Sequence, residues 1–134
     1  MALCLASCTK ENPIPELRTE YSLKVTIAMK EIAQQKISYD AQLSDKFIFY
    51  EYNESNMQVA SNVWSNPREG EEKSFIANDS ATKFTVCYEI NGTKYDGTPV
   101  SMSIWLADVF SLTNGQKTSA MLTASTPTKN NNPI

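Results

Sequence analysis

A chain of 134 residues without a single histidine lacks the side chain most often used as a general base near neutral pH, and the commonest metal ligand with it. A histidine-dependent triad or zinc site is therefore excluded, and any chemistry falls to cysteine, carboxylates and aromatic rings. Cys87 would be a nucleophile only with a neighbour that lowers its pKa; within an alternating segment it reads as a small strand residue. A glycoside hydrolase needs two carboxylates about 5 to 10 Å apart, and Asp96 and Asp108 are the acids whose surroundings are least solvent-like. Asp96 precedes Gly97 and reads as a turn residue, and Asp108 reads as a hydrogen-bonded or solvent-facing strand residue, so no catalytic residue is assigned. Glu69, Glu71 and Glu72 flank Gly70 with the oxygens calcium prefers, but their spacing fits no calcium loop; a solvated loop is expected, with no metal and no cofactor. Arg18 and Arg68 are the only arginines and the net charge is −3, which argues against phosphate-rich ligands and nucleic acid.

Aromatic side chains remain as recognition groups. Trp64 closes a strand-like segment beside the charged loop 65–72, where an indole either joins the core or stacks on a sugar ring or a partner's pocket. Tyr50, Tyr52 and Tyr95 would extend such a face, while Trp105 is expected in the core.

The elements that must position these residues are strands, because the hydrophobic period is two almost everywhere. Tyr21, Leu23, Val25, Ile27 and Met29 alternate with polar residues, and Ile37, Tyr39, Ala41 and Leu43 do so again. Ser44-Asp45 reads as a turn before the aromatic run Lys46 to Tyr52, which is apolar on both faces and is expected at the centre of a sheet. Strands are then predicted from Met57 to Trp64, Lys73 to Asn78 and Lys83 to Ile90, with turns at 53–56 and 78–80 and a type I′ hairpin at Asn91-Gly92. Val100 to Leu112 is read as a strand. Asn114-Gly115 is then either a hairpin turn into Lys117 to Thr123 or a helix cap. The expected fold is all-β, an antiparallel β-sandwich of seven or eight strands over 20–124, followed by a disordered polar tail at 125–134.

Leu5-Ala6-Ser7-Cys8 resembles the lipobox of bacterial lipoproteins, in which small residues admit the backbone to signal peptidase II and the cysteine is then acylated. Residues 1–7 would be a truncated signal segment, since they hold a short apolar run and no lysine or arginine, where a secretory signal has roughly 7 to 15 apolar residues after a basic start. Residues 8–19, with Pro13 and Pro15, would form a flexible tether. Acylation of Cys8 and removal of Cys4 would leave Cys87 alone and the domain without an internal disulfide. In strand order and spacing, 20–124 resembles the small immunoglobulin-like or transthyretin-like domains of Bacteroidetes lipoproteins. The resemblance implies an outer-membrane or cell-surface location, and Asp79-Ser80-Ala81 is similar to the O-glycosylation motif of that phylum, with Ser80 as acceptor. These readings favour a non-catalytic envelope lipoprotein that meets the membrane through the lipid at Cys8 and presents its sandwich to a protein partner. A glycan-binding module is the alternative, and a small glycan-active enzyme ranks third.

Overall fold

The computed structural model describes residues 18–27 and 41–134. They form nine strands and no helix: β1 (Glu20–Val25), β2 (Ala41–Tyr52), β3 (Gln58–Ser65), β4 (Glu72–Ile76), β5 (Lys83–Lys94), β6 (Pro99–Leu106), β7 (Phe110–Ser111), β8 (Lys117–Leu122) and β9 (Thr128–Lys129). The larger sheet has the order β9-β6-β5-β2-β3, with β7 also on β5; the smaller is β4-β1-β8. All pairings are antiparallel except β1 with β8. The expected all-β fold is observed, with two sheets facing each other as in a β-sandwich.

Alternation places the core between the sheets. Tyr21, Leu23 and Val25 point inward from β1, Phe47 and Phe49 from β2, Phe84, Val86, Tyr88 and Ile90 from β5, and Ala120 and Leu122 from β8. Ring contacts bridge the layers: Tyr21 stacks on Phe84 at 4.3 Å and tilts against Phe49 at 5.7 Å. Each large side chain so enclosed contributes roughly 1.5–3 kcal/mol through removal from water, and aromatic pairing adds to it. A disulfide is unnecessary in such a core, and Cys87, the free cysteine of the described residues, is buried.

Two expected turns are strand. Ser44-Asp45 and Asn91-Gly92 lie within β2 and β5, Ser44 opposite Asn91, Asp45 opposite Ile90 and Leu43 opposite Gly92. Both dipeptides are held in the long β2–β5 ladder, which supplies their residues with cross-strand partners, and the inward alternation continues through them. The chain reverses instead after Lys94, where Gly97 at φ 87° donates to the Lys94 carbonyl and Asp96 Oδ1 accepts the Thr98 N–H at 2.9 Å. Asn53 and Asn78 build the other turns: Asn53 Oδ1 accepts the Ser55 and Met57 N–H groups, and Asn78 Oδ1 accepts Ser80 N–H. At Asn114-Gly115 there is a turn rather than a hairpin, because β7 belongs to the larger sheet and β8 to the smaller.

The predicted strand from Val100 to Leu112 is broken. Between the Cys87–Trp105 and Phe84–Phe110 pairs, three steps along β5 face five along the partner, so Ala107 to Val109 bow out. The Ala107 N–H bonds the Pro127 carbonyl at 3.0 Å instead. That bond introduces the larger correction: the tail expected to be disordered is ordered. β9 pairs with Leu106 and Trp105, and Asn132 Nδ2 donates to the Tyr52 hydroxyl at 2.6 Å. Trp105 and Tyr52 lie on the strands either side of β5, so the tail is held at both of β5's neighbours. No helix among the described residues is long and apolar enough to cross a membrane.

Candidate functional site

The inner face of β2 carries two acids that its aromatic composition concealed. Asp45, Phe47, Phe49 and Glu51 alternate inward, an acid at each end of a phenylalanine pair, and all four are buried. Glu51 Oε2 accepts the Tyr21 hydroxyl at 2.7 Å and Asn62 Nδ2 at 2.9 Å, while Oε1 accepts the Asn78 N–H at 2.7 Å. Asn62 Nδ2 also donates to the Tyr21 oxygen at 2.8 Å, closing a triangle. At the other end Tyr88 donates to Asp45 Oδ2 at 2.6 Å. Burial first, and the carboxylate partner second, push both tyrosine pKa values well above the ordinary phenol range. These acids cannot work together as a glycosidase pair: six residues along one strand separate them by about 20 Å, and hydrogen-bond donors already hold their oxygens.

The remaining acids do not converge either. Asp96 holds its own turn in full solvent, the Thr98 hydrogen bonds lowering its pKa, and Asp108 is exposed on the bowed segment. Glu71 Oε1 accepts the Arg68 N–H and Glu72 Oε2 accepts the Ser22 hydroxyl, so the loop 65–72 spends its oxygens on separate local contacts. Among the described residues no group of three or more potential ligands could hold a metal ion.

The outer face of the larger sheet is different. Register sets Ser44 beside Asn91, Lys46 beside Glu89, Ile48 beside Cys87, Tyr50 beside Thr85 and Tyr52 beside Lys83. Trp105 continues the Ile48–Cys87 row on one side and Val63 on the other. The face therefore grades from polar to aromatic. At the polar end Lys46 pairs with Glu89 at 3.4 Å, and Ser44, Asp45, Lys46, Ser65, Asn66 and Asn91 line a cleft of about 170 Å³. At the aromatic end Tyr50 and Trp105 meet at 5.4 Å with their planes tilted by 33°, above β5. Beneath them Thr85 and Cys87 are buried, and Thr85 Oγ1 has no hydrogen-bond partner among the described residues. Burial, then the neighbouring Glu89, pushes the Cys87 thiol up to about 11, so it is a poor nucleophile at neutral pH. Burial likewise raises the Tyr50 pKa.

Of the residues singled out for recognition, Tyr50 and Tyr52 share this face, Tyr52 lying under the tail. Tyr95 is 87 % exposed at the β5–β6 hairpin, and Trp64 is in the core against Phe47 at 5.8 Å. The tryptophan available to a partner is thus Trp105 rather than Trp64. The alternation of Val100, Met102, Ile104 and Leu106 carried that information, since Trp105 must point the opposite way. Ser80 is exposed, with its hydroxyl donating to Asn78 Oδ1 at 2.7 Å, and Cys8 lies outside the described residues. No protein-family model, curated protein or solved structure matches the chain.

Proposed function

We propose that the chain is a non-catalytic envelope lipoprotein, tethered through Cys8 at the outer membrane or cell surface, whose sandwich docks a protein partner on the outer face of its larger sheet. The observation that carries this reading is the row Val63, Ile48, Cys87 and Trp105 with Tyr50 beside it. It is an aromatic and aliphatic strip crossing four strands, with Val63 49 % exposed and ion-paired Lys46 and Glu89 at its rim. Apolar centres with polar rims are the pattern of protein interfaces. An immunoglobulin-like or transthyretin-like relationship accords with the parallel pairing of β1 and β8, which brings an early and a late strand together. The glycan-binding alternative keeps one support, the Tyr50–Trp105 pair on the outer face; burial of Trp64 removes its first platform.

A photo-crosslinking residue at Ile48 in cells should give a discrete protein adduct, and the same residue at Ser119 on the smaller sheet should give none. Adducts of equal yield at both positions would defeat the reading. Binding on a glycan array that disappears in Trp105→Ala would transfer the face to the alternative. The anchor is tested separately, because a palmitate analogue should label the wild-type chain and leave Cys8→Ala unlabelled.

A further inference from the structure

A sheet edge offers unpaired N–H and C=O groups to any extended chain, and folded proteins blunt such edges with charge, proline or a covering segment. Three of the four edges here are blunted. In the smaller sheet β4 carries Glu72 and Lys73, and β8 begins with Lys117. In the larger sheet β6 begins with Pro99 and has β9 laid against its other end. β3, Gln-Val-Ala-Ser-Asn-Val-Trp-Ser, has no charge, no proline and no glycine, and among the described residues it pairs only with β2; its single irregularity is a bulge between Ala60 and Gln58, which leaves the stretch from Ala60 to Ser65 regular.

The hydrogen-bond phase of this edge can be read from its end. The Asn66 N–H donates to the Asp45 carbonyl at 2.9 Å, so by alternation Trp64 and Asn62 also bond toward β2. Ser61, Val63 and Ser65 therefore direct their N–H and C=O groups away from the sheet. We infer that β3 pairs antiparallel with β3 of a second copy, about a twofold axis through Ser61, joining the two larger sheets into one.

Three features select a second copy as the occupant. The axis through Ser61 overlays residues 58–64 on themselves, Gln58 opposite Trp64, and sets the outward-bonding groups of Ser61 opposite their counterparts; beyond Ala60 the bulge of β3 interrupts the regular alternation. It sets Val63, 49 % exposed, against Val59, so apolar surface meets apolar surface twice by symmetry. No charge on either strand opposes its counterpart, whereas self-pairing of β4 or β8 would bring like charges into proximity. A single ladder with two valine pairs is a small interface, so association at protein concentrations on the order of tens of micromolar is expected.

The test is sedimentation equilibrium on the full chain. The weight-average mass should rise from 15.0 kDa toward twice that value with concentration. Ser61→Pro removes an edge donor that β2 does not use and should stay monomeric with the wild-type circular dichroism spectrum; if it does not fold, Ser61→Lys takes its place. Met121→Lys, on β8, should dimerise as wild type does. A wild-type chain that remains monomeric at about 1 mM overturns the inference, as does a dimer that persists in both Ser61 variants. This pairing does not depend on the partner assigned to the outer face: with the crosslinking residue kept at Ile48, Trp105→Ala should abolish that partner's adduct and leave the dimer intact.

Discussion

β2 turns Phe47 and Phe49 to the core and Ile48, Tyr50 and Tyr52 to the other side, so its two faces are almost equally apolar in composition. They differ in the treatment of polar atoms. On the inner face both carboxylates are held by donors, Glu51 by Tyr21, Asn62 and the Asn78 backbone, Asp45 by Tyr88. On the outer face Thr85 Oγ1 is buried without a partner among the described residues, and Tyr50 and Trp105 are only half-buried. A buried group left unsatisfied costs about 1–3 kcal/mol, so the outer face sits short of the stability its composition would allow. A partner seated on this face, as proposed, would complete it.

The largest effect should come from the inner phenylalanines. Phe49→Ala opens a cavity among Tyr21, Phe75 and Phe84 and should cost about 3–5 kcal/mol in urea unfolding. Tyr50→Ala, one residue further along the strand, should cost about 1 kcal/mol, since its ring has one aromatic neighbour and partial solvent contact. Equal losses would erase the distinction between the faces.

Tyr21→Phe comes next. It keeps the ring stack on Phe84 and removes only the hydroxyl that Glu51 and Asn62 share, leaving both with an unfilled bond; a loss of about 1–3 kcal/mol is expected. Tyr52→Phe removes one contact to the tail and should cost about 0.5 kcal/mol, read as faster amide exchange in β9. If the two substitutions were equal, the triangle would contribute no more than a strap contact.

Alkaline pH acts through the same inner tyrosines and through Cys87. Burial raises each of these pKa values in the folded chain, so the neutral form is favoured there and the stability it contributes is complete below the unfolded-state value. For Cys87 that stability should fall as pH rises from about 9 through about 11, and for Tyr21 and Tyr88 the decline should begin above about 10. The melting temperature should therefore be flat from pH 7 to about 8.5 and drop above it, with Cys87→Ala shifting the onset upward. A profile unchanged by Cys87→Ala would show that the thiol is solvated in the native state.

Much of this frame was legible in the sequence, because period two alone identifies β1 and β5 and their inward residues, whereas in the segment from Met57 to Trp64 the apolar Met57 and Val63 are exposed and Trp64 is buried. What failed had a common cause: long-range pairing overrode local preference. Ser44-Asp45 and Asn91-Gly92 are turn-prone singly and become strand because each is carried in the long ladder between β2 and β5, a fact no local window contains. The tail reads as disordered by composition and is ordered by two ladder positions on Trp105 and Leu106 together with a hydrogen bond to Tyr52. Glu51 and Asp45 were hidden because tyrosine and asparagine partners from β1, β3 and β5 are distant in sequence. Trp105 could have been placed by parity, but Trp64 could not, since an indole ending a strand fits either face equally well.

The smallest effect tests the rim of the outer face. Lys46 and Glu89 are 3.4 Å apart and partly exposed, so solvent screens their attraction and Lys46→Ala should change stability by only about 0–1 kcal/mol. Their role in the proposed interface is to set register and approach rather than to hold the fold, and such charges act mainly on association rate. In Lys46→Ala the partner's on-rate should lose most of its salt dependence while the unfolding midpoint stays within error of wild type. Trp105→Ala should do the reverse at the strip's centre, accelerating dissociation at every salt concentration. If Lys46→Ala instead destabilised the fold as Tyr21→Phe does, the outer face would be a second structural face and the contrast along β2 would disappear.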